Sequence, residues 1–79
     1  MSDPSAIQEE ERLVRELQRT VDLALFYIRT APLNRATAEK IIDEVKAKAL
    51  HLFPDKETTF DLIYMPRFIR VLDQRFGLH

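Results

Sequence analysis

Apolar residues recur along this chain at three- and four-residue intervals, the spacing of one helix face rather than the alternation of a strand. The pattern breaks twice, at Pro32 and at Phe53-Pro54-Asp55-Lys56-Glu57, and so divides the chain into three helical stretches near 5–31, 35–52 and 58–76. Ser5 with Gln8 reads as a capping box, and Glu9, Glu10 and Glu11 follow near the positive end of the helix dipole. Pro32 stops this first helix, because residue 31 is pushed out of the helical region and residue 32 has no N–H to donate. Asn34 is the expected N-cap of the second helix, whose apolar face is Ala38, Ile41, Ile42, Val45, Ala49, Leu52 and Phe53. Thr58 with Asp61 reads as a capping box for the third, and Gly77 as its left-handed C-cap.

The first helix also fits a heptad. With Ile7 at position a, Val14, Val21 and Ile28 follow at a, while Glu10, Leu17, Ala24 and Ala31 fall at d. The flanks change along its length. Residues 5–20 offer one narrow apolar stripe, whereas Leu23, Leu25 and Phe26 make residues 21–28 apolar on several sides. The second half therefore reads as the centre of a core and the first half as an arm. At about 40 Å against roughly 27 Å for each of the others, this helix should overhang the bundle by about two turns.

The third helix is apolar over most of its circumference. It holds Phe60, Tyr64, Phe68 and Phe76, four of the chain's seven aromatics, so it should be buried on more than one side. Pro66 sits inside it, where a proline costs about 3 kcal/mol and either bends or breaks the helix between Leu62 and Pro66. A bend that re-phases the helix would turn both halves to one core. Without it, the excess forms an exposed patch, and large exposed apolar patches mark interfaces.

Composition narrows the class. A chain of 79 residues supports one domain with a marginal core, and it has no cysteine to staple it. Packing or oligomerisation must compensate. Formal net charge is −1, without the basic excess expected of a phosphate-neutralising protein. No signal peptide is visible at the N-terminus. The longest apolar run, Leu23 to Ile28, is far short of the about 20 residues of a membrane helix. A soluble, cytoplasmic protein with no membrane contact is expected.

No catalytic, metal or cofactor chemistry emerges. His51 lies on the polar side of the second helix with no second histidine spaced to join it. Asp61, Tyr64, Arg67 and Arg70 cluster in sequence, but Asp61 reads as a cap and Tyr64 as part of an aromatic stripe. The expectation is an all-α, small three-helix bundle with a long first helix and a Pro-kinked third helix, forming a homodimer. Residues 1–4 are expected to be disordered and 5–79 to form the single domain. Its role is that of a non-catalytic protein-interaction module, an adaptor or regulatory subunit without cofactors. The expected interface is Tyr64, Met65, Arg67 and Phe68 with Ile7, Val14 and Leu17 of the arm. The alternative is a small helical nucleic-acid-binding regulator reading bases with its third helix.

Overall fold

The structure is a computed structural model in which residues 4–77 are described, and those residues are all-helical. Four helices follow one another: α1 (Pro4–Thr30), α2 (Arg35–Leu52), α3 (Glu57–Ile63) and α4 (Met65–Phe76). The first two match the predicted stretches to within a residue. α1 begins at Pro4, so Ser5 lies inside the first turn instead of capping it, and Pro4 is helical. The rest of the predicted N-terminal tail, residues 1–3, falls outside the described residues. Asn34 caps α2 as predicted, with extended backbone and its Oδ1 accepting from the Thr37 N–H at 2.8 Å.

The predicted third helix is in two pieces. The regular bonding of α3 runs out at Ile63, and Tyr64 forms the joint, still near the α-region at φ −96°, ψ −38°. Pro66 then sits in the first turn of α4, where its missing N–H is not needed. The Tyr64 carbonyl accepts from the N–H groups of both Arg67 (3.0 Å) and Phe68 (3.3 Å). Thr58 does not cap α3, which already starts at Glu57 after Lys56, a residue that makes no side-chain cap. Asp61 is instead drawn to the Lys46 ammonium at 2.9 Å, tying α3 to α2. Gly77 ends α4 with φ +83°, a backbone that other residues rarely adopt, and its N–H returns to the Asp73 carbonyl at 3.0 Å.

One end of the molecule is drawn together by arginines. Arg75 of α4 donates to the Ile28 carbonyl near the end of α1. Arg35 at the start of α2 donates to the Gly77 carbonyl at 2.9 Å and lies 3.7 Å from Asp73. The C-termini of α1 and α4 thus meet the N-terminus of α2, so α2 runs antiparallel to both. The core between these helices is Leu17, Val21, Ala24 and Ile28 from α1, Ala38, Ile42, Val45 and Ala49 from α2, and Phe60, Phe68, Val71 and Leu72. The α1 members are the predicted heptad positions a and d from Leu17 onward. Towards its N-terminus α1 is packed more loosely, with no residue from Pro4 to Glu16 buried. The molecule is accordingly 49 Å long, with a radius of gyration of 14.4 Å against about 12 Å for a compact chain of this length.

The expectation that residues 21–28 are covered from several sides does not hold. Only the a and d stripe is buried, while Leu23 and Phe26 are each 62% exposed and Tyr27 is 53% exposed. The reason is geometric. α1 has two helical neighbours, α2 and α4, and no described element crosses its outer face.

Candidate functional site

α3 packs closely on α2 and α4, while its backbone stands farther off from α1. The helix is interrupted at Tyr64, and it is the α4 part that packs closely on α1. Between α1 and α3 an open cleft remains, with a volume of about 190 Å³. Its walls are Val14 and Leu17 of α1, Leu50 and Phe53 at the end of α2, and Phe60 and Tyr64. Glu10, Lys56 and Thr59 form its polar rim. Phe60 and Tyr64 stack as a tilted pair, centroids 5.5 Å apart, and Arg67 lies over the Tyr64 ring at 5.8 Å. The cleft thus has a rigid aromatic floor on one side and an aliphatic helix face on the other.

The predicted interface residues divide among three places. Val14, Leu17 and Tyr64 converge on the cleft, although Leu17 is almost fully buried beneath it. Ile7 stands one heptad farther along the arm, 45% exposed, in a shallow strip with Glu10, Glu11, Val14 and Arg15 that adjoins the cleft through Glu10 and Val14. Phe68 is wholly enclosed by the chain's own core, and Met65 packs against that core. In this fold Phe68 is not open to a second chain. Arg67 is exposed and supports Tyr64 from outside.

Leu50 and Phe53 belong to the cleft but were not among the predicted interface residues. The signal was present: both are large apolar residues at the very end of a helix, next to a proline turn, where a closed bundle needs little apolar cover. Leu62, Ile63 and Ile69 are exposed elsewhere on α3 and α4.

Ion pairs tie α2 to its neighbours near the cleft. The Lys46 ammonium bridges Asp61 and Glu57 of α3, and the bond to Asp61 above all holds it above its usual basicity. On the arm, Arg12 donates to Glu9 at 2.6 Å and holds that carboxyl below its ordinary range. Lys48 of α2 reaches Glu16 at 3.5 Å and ties α2 to the base of the arm.

The sequence cluster of Asp61, Tyr64, Arg67 and Arg70 is not assembled as a site. Asp61 is held by Lys46, Tyr64 faces the cleft, and Arg70 is exposed on α4. His51 is exposed near the end of α2. Among the described residues no group of three metal-ligating side chains converges, and no helix is long and apolar enough to cross a membrane. Compared with known proteins, the chain matches no family model, no curated protein and no solved structure.

Proposed function

We propose that this chain is a small, non-catalytic protein-interaction module that works as a homodimer in the cytoplasm, in an adaptor or regulatory role. The observation that carries this reading is the apolar cleft between α1 and α3, left unfilled by the chain's own side chains and flanked by a projecting arm. At about 190 Å³ it is smaller than the roughly 300–1,000 Å³ of pockets that enclose drug-sized ligands. It suits one or two apolar side chains of a partner. Its lining also has the composition of an interface anchor, three aromatics and several aliphatics inside with charged residues at the rim.

A nucleic-acid-binding role has less support. The net charge is −1, Arg67 is engaged with Tyr64, and the acidic Glu57 and Asp61 lie on α3. A mobility-shift assay at low and moderate salt separates the two readings, since phosphate binding weakens steeply with salt.

The interaction reading is tested by light scattering on the native chain and on Tyr64→Asp. A two-chain mass for the native protein and a one-chain mass for the variant, with helix content retained by circular dichroism, support it. A one-chain mass for the native protein at high concentration contradicts it. Val14→Asp, on the exposed α1 wall, repeats the test at a site less tied to the core.

A further inference from the structure

We infer that the occupant of the α1–α3 cleft is Ile7 from the arm of a second copy of this chain, so that two arms pair antiparallel about a two-fold axis. This rests on the interaction reading above and specifies its geometry. The first reason is continuity. The stripe that is buried inside the chain from Leu17 to Ile28 continues outward through Val14 to Ile7, and there its two residues are 37% and 45% exposed. Val14 faces the cleft, and Ile7 lies seven residues, roughly 10 Å, farther along the same helix face.

The second reason is self-complementarity. The arm carries both an anchor, Ile7, and one wall of the cleft that would receive it, Val14. A second copy therefore fills both clefts at once, as an isologous two-fold contact does, whereas an unrelated peptide would fill one cleft and leave Ile7 exposed. The cleft is open where the α3 backbone stands off from α1, and an Ile7 side chain entering there would be flanked by both helices.

The third reason is charge. The arm bears Glu9, Glu10 and Glu11 before its first base, Arg12, and the cation on the rim of the cleft is Lys56. Placing Ile7 of each copy against Val14 of the other puts the two-fold axis between residues 10 and 11. Glu10 and Glu11 of both copies then gather near the axis, with Lys56 beside Glu10 on the rim. Each Lys56 offsets part of this repulsion, and the remainder weakens the pairing without preventing it.

The register is directly measurable, because the chain has no cysteine and a single introduced one can be spin-labelled cleanly. Gln8 and Arg29 are exposed, and neither lines the cleft. Pulsed dipolar spectroscopy on Gln8→Cys should give a separation under roughly 30 Å, and on Arg29→Cys roughly 55 Å, from the rise of two antiparallel helices crossing near residue 10. Adding Ile7→Asp to either labelled chain should abolish the dipolar signal. A dimer with a short Arg29 separation, or with a long Gln8 separation, overturns the arm pairing while leaving self-association intact. A one-chain mass with no dipolar signal at any concentration overturns both.

Discussion

The two ends of this molecule are built on opposite terms. At one end, the C-termini of α1 and α4 meet the N-terminus of α2. There small and branched side chains (Ala24, Ile28, Ala38, Val71) close the core, and Arg35 and Arg75 bind helix-end carbonyls across the helices. At the other end α2 stops, the α3 backbone stands off from α1, and large side chains (Phe53, Phe60, Tyr64) border an open cleft. The contrast shows what a short chain does with limited core. It completes packing where α1, α2 and α4 come close together, and it leaves a cleft where the third wall, α3, stands farther off.

Substitutions should separate the ends. The largest effect belongs to Phe68→Ala, which empties the centre of the core and should cost about 3–5 kcal/mol in denaturant unfolding. For a chain of this size that approaches the whole stability. A cost below about 1 kcal/mol would mean that the core does not depend on Phe68, and the distinction between the ends would fail. Arg75→Met should cost about 1.5 kcal/mol, because it removes a charged donor from the Ile28 carbonyl. Asn34→Ala, also at the closed end, should cost about 1 kcal/mol through loss of the α2 cap.

Lys46 tests how α3 is held. Its ammonium is stabilised in the folded chain by Asp61 and Glu57, which raises it above the usual lysine value of 10.5. Its contribution is therefore complete below pH 10.5 and is lost as pH rises through the raised folded value. Lys46→Met should lower the melting temperature by a small, constant amount from pH 7 to 10, and the gap to the native chain should shrink above that. A gap that did not change at the alkaline end would show that Lys46 acts through its aliphatic stem.

Much of the closed end was legible in the sequence, and little of the open end. Pro32, Asn34 and Gly77 each act on the backbone locally, so their positions carry over almost unchanged. The heptad stripe from Leu17 to Ile28 is also a local property of one helix. Pro66 was legible as an interruption, but a proline does not state the angle at which the next helix leaves. That angle sends Phe68 into the core and leaves Leu62 and Ile63 outside. Nor does the proline state how far α3 will stand from α1, where the cleft lies. The apolar outer face at Leu23, Phe26 and Tyr27 was misread for a related reason: a pattern shows which faces are apolar, but not how many neighbours are present to cover them.

The smallest expected effect on stability is at Ile7. Ile7→Asp lies on the projecting arm, so it should change unfolding by no more than about 0.5 kcal/mol. It is also the most direct test of the difference between the ends, by sedimentation equilibrium over a wide concentration range. The native chain should rise from 9.3 kDa towards twice that mass, while Ile7→Asp stays at 9.3 kDa with its helix content unchanged. A native chain that remains at 9.3 kDa throughout, or an Ile7→Asp chain that associates as the native one does, would contradict the assignment of the open end as the interface.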